Sequence, residues 1–239
     1  MMRPMFSRLI RLPLRLIPKS AVMRVLSGPL RGRRWIAGAA THGCWLGIYE
    51  RDAQRVFEKH VRPGDVVYDI GANAGFFTLL AAKLAGDGGA VYAFEPLPRN
   101  LELLREHVRM NDARNVHLMA TAVSDRVGTA HFATAANPAM GGLSDSGGIE
   151  VPTTTLDALR GSVPPPRFIK MDIEGAESAA LGAAGATLRE HRPTILLSAH
   201  GLEQYERCSE LLRGHGYTLD LLVDGALDGN YVLLARSSA

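Results

Sequence analysis

The chain has 239 residues, 46% of them hydrophobic and 21% charged, the composition expected of a globular domain with one core and an extension. No window of about 18 uncharged apolar residues occurs, so no membrane-spanning helix is expected. The only cysteines, Cys44 and Cys208, stand far apart in no metal-ligand spacing, so zinc is not expected, and buried or idle thiols in a reducing, cytoplasmic setting are.

The net charge of +3 conceals two opposed parts. Arg3, Arg8, Arg11, Arg15, Lys19, Arg24, Arg31, Arg33 and Arg34 all precede the first acid, Glu50, and leave 18 basic against 24 acidic residues in the remainder. A nucleic-acid binder carries its basic residues on the body, near the site. No nucleic-acid partner is therefore expected. The chain divides into a basic arm (1–34), an extension (35–60) and an α/β domain (61–239). Within the arm, Phe6 to Ile17 mixes Arg with Leu and Ile and is broken by Pro13 and Pro18. It reads either as a contact for an anionic membrane or partner, or as a segment packed on the body with its arginines in water. Its Arg-rich, acid-free composition also suits a targeting peptide, whereas a secretory signal lacks its apolar core here.

Trp35 to Glu50 is rich in Gly and aromatics and predicts short strands or loops. A helix is expected over Arg51 to His60, then a turn at Pro63-Gly64. Strands and helices then alternate. Strands are expected at Val66 to Ile70, Ala90 to Phe94 and Val116 to Ala120, and helices over Phe76 to Leu84 and Arg99 to Met110. Another strand is read at Val127 to Ala133. Asn137 to Gly148, rich in Gly, Ser and Asn, reads as a mobile loop and candidate lid. Val151 to Thr155 is extended, and a short helix starts at Leu156 with Thr155 or Asp157 at its cap. The fourth strand is expected at Phe168 to Met171, a helix over Ala176 to Glu190, the fifth strand at Thr194 to Ser198, and a helix over Leu202 to His215. Thr218 to Val223 and Tyr231 to Ala235 form a closing antiparallel pair. This alternation predicts a mostly parallel sheet with right-handed crossovers.

The strongest motif is Val66-Val67-Tyr68-Asp69-Ile70-Gly71-Ala72-Asn73-Ala74-Gly75, a buried strand running through a Gly-rich turn into a helix. Gly71 and Gly75 permit close backbone approach, and Asn73 tolerates left-handed torsions. Glu95 ends the next strand about 20 residues on, where an acid that grips a ribose is expected. The G-x-N-x-G spacing departs from the G-x-G-x-x-G of dinucleotide binders: Asn73 replaces the central Gly and Phe76 falls at the third. That disfavours a pyrophosphate at the helix N-terminus and a nicotinamide oxidoreductase. A nucleoside with an amino-acid tail, S-adenosylmethionine, fits better.

Four blocks together resemble the FkbM-type methyltransferases: Tyr68 to Gly75, Ala93-Phe94-Glu95-Pro96, Ala122-Val123-Ser124-Asp125, and Phe168-Ile169-Lys170-Met171-Asp172-Ile173-Glu174-Gly175-Ala176-Glu177. Asn100, Asn111 and the Thr155-Leu156-Asp157 step are similar too. The resemblance runs from about Trp35 to the C-terminus, and the K-x-D-x-E-G-x-E order is its most specific part. It implies a Rossmann-like class I methyltransferase fold: a mostly parallel seven-stranded sheet with an antiparallel C-terminal strand. It also implies S-adenosylmethionine as cofactor and O-methylation of a sugar, glycan or secondary metabolite. The expected donor-binding set is Asp69, Gly71, Ala72, Asn73, Gly75, Thr78, Glu95, Pro96, Val123 and Asp125. Val123 would border the adenine, and Asp125 would either bond the adenine amine or cap the following turn.

A hydroxyl is a poor nucleophile until a base takes its proton. Asp172 ends the fourth strand at the crevice where such sheets bind ligands, and Lys170 lies two residues back on the same face. Glu174 and Glu177 read either as acceptor or metal contacts or as acids that favour a helix N-terminus. His200 is a plausible base near neutral pH. His60, His107 and His117 lie in helix or strand patterns and read as structural or solvent-facing. The expected catalytic set is Asp172, Lys170 and His200, with no metal assigned. The family often has an acid two places before this His; here Ser198 stands there. That departure supports the rival reading, a donor-binding scaffold without chemistry.

Overall fold

The computed structural model describes residues 16–134, 141–144, 148–226 and 229–237. The arm segment Phe6 to Ile17 therefore lies almost wholly outside the described residues. A short hairpin comes first: β1 (Val22–Arg24) pairs antiparallel with β2 (Arg34–Ile36), Met23 opposite Trp35. This pairing spans the junction drawn at 34/35. Two helices follow, α1 (His42–Leu46) and α2 (Arg51–His60). Val25, Leu30, Trp35, Trp45 and Phe57 share one buried cluster with Phe77, Leu80 and Val91 of the α/β body.

The alternating part opens with β3 (Val66–Ile70), α3 (Phe76–Ala85), β4 (Ala90–Phe94), α4 (Pro98–Met110) and β5 (Val116–Met119). Pro98 fits the first helical position, where its missing N–H is no loss. Four short strands come next: β6 (Ala122–Val123), β7 (Gly128–Thr134), β8 (Gly141–Ser144) and β9 (Ile149–Thr154). After a 3-10 turn at Asp157–Leu159 come β10 (Phe168–Met171), α5 (Glu177–Gly182), α6 (Gly185–His191) and β11 (Thr194–His200). The chain closes with α7 (Leu202–Gly214), β12 (Tyr217–Asp224) and β13 (Asn230–Ser237).

Seven strands form the main sheet in the order β12-β13-β11-β10-β3-β4-β5. Only β13 runs antiparallel to its neighbours, β11 and β12. Helices cover both faces, so the middle strands are mostly apolar: Ile70, Ile169, Met171 and Leu197 are fully buried, while Asp69 and Lys170 are buried polar residues near their ends. No helix among the described residues is long and apolar enough to cross a membrane.

Three expectations need correction. Val127 to Ala133 and Val151 to Thr155 are strands, but of a second, four-stranded sheet in the order β6-β9-β7-β8. The mobile loop of Asn137 to Gly148 contains β8, which pairs antiparallel with β7; its residues 137–140 and 145–147 lie outside the described set. The helix expected over Ala176 to Glu190 is two helices, broken between Gly182 and Gly185. Asp157 explains the break: its carboxylate accepts the N–H groups of Ala186 and Thr187 at 2.9 and 2.7 Å, and so caps α6 from outside. Thr155 caps the 3-10 turn instead, accepting the Ala158 N–H at 3.0 Å.

The hairpin is fastened to the body by α4. His107, fully buried, accepts the Ile36 N–H at Nε2 (2.9 Å), donates from Nδ1 to the Ala74 carbonyl (2.7 Å) and stacks on Trp35 at 3.9 Å. Asn111 accepts the Arg34 N–H and donates to the Arg34 carbonyl.

Candidate active site

The parallel strands end at one rim of the sheet, where a cavity of about 910 Å³ opens. Its walls come from the hairpin segment, the turn after β3, the end of β4, Val123, and the segments after β10 and β11. That volume is of the size that holds a cofactor-sized ligand.

On one side lies the Gly-rich turn. Gly71 has φ 81°, and a Cβ there would stand 1.9 Å from the Asp172 carbonyl oxygen, so no other residue fits. Gly71 and Ala72 both donate to the Phe94 carbonyl at 3.0 Å, which joins the turn to the end of β4. Asn73 takes the expected left-handed conformation (φ 49°) and donates its N–H to Glu95 Oε2 at 2.8 Å. Glu95 Oε1 accepts the Leu97 N–H at 2.9 Å. Burial (4% exposed) pushes the Glu95 carboxyl up, and these two N–H groups pull it back. Gly71, Ala72, Asn73, Gly75, Glu95, Pro96 and Val123 line the cavity. Three residues of the expected donor set do not. Asp69 lies fully buried beneath the wall, where Thr78 Oγ1 donates to it at 2.5 Å. Asp125 points away, half exposed, its carboxylate taken by the Ser124 hydroxyl at 3.2 Å.

On the other side is a charged cluster. Lys170, 5% exposed, donates to Asp172 Oδ2 at 3.0 Å. Burial alone would lower its ammonium pKa, but Asp172, Asp69 and Glu50 overcome that and hold it above its usual range. It stays charged and cannot serve as base. His200 ends β11, two residues beyond the expected strand end, and its Nε2 faces Asp172 Oδ1 and Glu174 Oε2 at 3.5 Å each. Its Nδ1 donates to Glu177 Oε1 at 2.8 Å. That oxygen also accepts the N–H groups of Ile173 and Gly175, so the fully buried Glu177 is fixed in place. Burial lowers the His200 pKa, but the Glu177 bond and the carboxylates of Asp172, Glu177 and Glu174 outweigh it and raise it. Burial likewise raises Glu174, against the pull of His200. Asp172, Glu174 and His200 bring ligand atoms within 4.8 Å of one another, a mixed oxygen and nitrogen set that suits a divalent cation, which the sequence reading did not assign.

Sequence reasoning also missed Tyr49 and Glu50, which line the cavity beside Lys170. Glu50 adopts a left-handed backbone (φ 42°) just before α2. Its carboxyl is open to the cavity but enclosed by protein, so desolvation pushes it up, while Lys170 and the Tyr49 hydroxyl oppose that. The one available signal was that Glu50 is the first acid of the chain.

Residues 69–223 match the family model of the methyltransferase FkbM domain. The chain belongs to the FkbM methyltransferase family. Sixty-nine residues are 48% identical to the 31-O-demethyl-FK506 methyltransferase FkbM of Streptomyces tacrolimicus, covering 28% of this chain and 25% of that one. The hexuronic acid methyltransferase AglP of Haloferax volcanii is 29% identical over 132 residues, 54% of this chain and 53% of that one. The chain thus spans about half or less of the length of these relatives. The crystal structure of a methyltransferase FkbM from Methylobacillus flagellatus superposes with a TM-score of 0.52 at 18% identity, covering 82% of this chain and 56% of that one, which shows the shared fold. S-adenosylmethionine is the methyl donor of this class. The FkbM-family cavity fits it: between Gly71 and Gly75 the one side chain beyond a methyl is Asn73, and its Oδ1 is turned to the Ala74 N–H at 2.7 Å.

Proposed function

We propose that this chain is an S-adenosylmethionine-dependent O-methyltransferase acting on a hydroxyl of a sugar, glycan or secondary metabolite. One observation carries the reading. The turn that would seat the donor touches the acid that would seat the acceptor, since Gly71 packs directly on the main chain of Asp172. Both groups face one cavity, so a donor and an acceptor bound there meet without a large rearrangement, and alignment is most of the catalysis such a transfer needs.

Glu95, held by two main-chain N–H groups, would grip the ribose, and Ala72, Asn73, Gly75, Pro96 and Val123 would enclose the nucleoside. The donor, when bound, supplies an activated methyl group. Asp172 would orient the acceptor hydroxyl, with Lys170 neutralising its second oxygen. The hydroxyl proton would pass to His200 Nε2, while Glu177 keeps the ring oriented through Nδ1. Glu177 gives this histidine a carboxylate partner even though Ser198 stands two residues before it, so the scaffold reading loses its support. The names of the two curated relatives, a 31-O-demethyl-FK506 methyltransferase and a hexuronic acid methyltransferase, support the acceptor class.

The test is Asp172→Ala, assayed with a panel of free sugars, glycans and hydroxylated metabolites. Turnover is expected to fall at least about a hundredfold, with donor affinity by calorimetry nearly unchanged. Wild-type turnover would remove Asp172 from the mechanism, and absence of transfer by the unmodified protein to every acceptor would reject the function.

A further inference from the structure

The basic end of the chain borders the cavity through Ile17 and Lys19 and carries an exposed apolar edge. Along β1 the side chains alternate. Met23 and Val25 turn inward, whereas Val22, Arg24 and Leu26 turn out, with Val22 and Leu26 54% and 56% exposed. Leu26 donates its N–H to the Trp45 carbonyl, the Ser27 hydroxyl donates to the Leu46 carbonyl, and Gly47 lies against Ser27. These contacts bring Ile48, 45% exposed, to the same edge. Lys19, Arg24, Arg31 and Arg34 are exposed around it. Among the described residues none of them has a carboxylate partner, and Arg24 donates only to the Gly32 carbonyl. The same backbone runs into the cavity wall. Lys19 and Ala21 accept the N–H groups of Gly38 and Ala37, and Ile17, Lys19 and Ala37 line the cavity.

Exposed apolar residues set among unpaired cations, with no acid before Glu50, match the chemistry of an anionic bilayer surface. A nucleic acid would satisfy the cations but leave Val22, Leu26 and Ile48 in water. We infer that this face seats on an anionic lipid bilayer. The docking does not rest on the methyl-transfer reading.

The full chain is mixed with vesicles of phosphatidylcholine, with and without phosphatidylglycerol, and sedimented. Binding is expected only when phosphatidylglycerol is present, and it should weaken with salt. Each basic residue at such a surface strengthens partitioning about fivefold. Arg24→Glu/Arg31→Glu is therefore expected to weaken it by more than about tenfold, as is Leu26→Glu/Ile48→Glu, with S-adenosylmethionine binding by calorimetry retained in both. Equal binding to both vesicle types, or none, overturns the proposal, and this arm needs no variant. Variants that bind donor and vesicles like wild type overturn it too, because the contact then lies outside this face. Tighter binding to an RNA duplex than to the vesicles assigns the cations to a nucleic acid and overturns it as well. Vesicle binding without transfer to any acceptor would reject the methyltransferase reading and leave the docking intact. Transfer to soluble acceptors without vesicle binding would do the reverse.

Discussion

His107 joins three parts of the molecule, and replacing it tests how the donor turn is held. His107→Phe keeps a flat ring to stack on Trp35 but removes both ring nitrogens. The Ile36 N–H and the Ala74 carbonyl, each bonded to His107 at under 3 Å, then lose their partners. An orphaned buried polar group costs about 1–3 kcal/mol, so the pair should cost about 3 kcal/mol in total. For a chain of this size that lowers the melting temperature by about 6–12 °C. Burial also lowers the His107 pKa below its ordinary 6.5. The folded state therefore resists protonation, while the unfolded chain takes up a proton below pH 6.5. The stability that the neutral ring contributes is fully present above that pH and drains away as pH falls toward the folded value, at up to about 1.4 kcal/mol per pH unit. Urea unfolding of wild type and variant between pH 7.5 and about 5.5 reads both effects. The two curves should converge as pH falls, since only the wild type carries this titration. A variant as stable as wild type at pH 7.5, or a gap that widens on acidification, would refute the reasoning.

Four further outcomes follow from the site. Glu95→Ala should weaken S-adenosylmethionine binding at least about tenfold, because a charged bidentate acceptor is lost; unchanged calorimetry would remove Glu95 from the donor site. Gly71→Ala should leave little folded protein at 37 °C, since its Cβ meets main chain at 1.9 Å on a left-handed backbone, and a normal melting curve would contradict the packing. The catalytic rate should rise with pH through a midpoint above 6.5, because His200 must lose its proton and its carboxylate neighbours hold it on. Glu177→Gln should move that midpoint down, and a pH profile indifferent to the change would exclude His200 as base. Chelation by EDTA is expected to leave turnover unchanged, as Lys170 already balances Asp172; loss of activity restored by a divalent cation would instead make Asp172, Glu174 and His200 a metal site.

What could be read from the sequence was local. The turn of Gly71 to Gly75 is written into consecutive residues, and the buried parallel strands are short, mostly apolar runs, so both are legible in the sequence. Glu95 and Asp172 were visible because such sheets place ligands at strand ends. Glu50 was not: its side chain reaches the cavity only because a non-Gly residue takes a left-handed torsion, which nothing in the sequence advertises. Asp157 was read as a local cap, yet it caps a helix about 30 residues later, a contact that is purely tertiary. The same contact splits a stretch whose Ala-rich composition favours one long helix. Strands β7 and β9 were legible as strands, but their separate sheet was not, because a strand's pattern does not name its partner.

The order of the main sheet has a consequence for synthesis. β13 is the last strand in sequence, yet it lies between two earlier ones, and β12 bonds to nothing else in that sheet. Until β13 is made, the outer edge of β11 stands open, including His200, whose partner in register is Asn230. A half-made chain would carry a finished nucleoside cradle beside a raw sheet edge. It is then most exposed to aggregation or to a chaperone, and His200 gains its strand partner only when β13 slots into the gap.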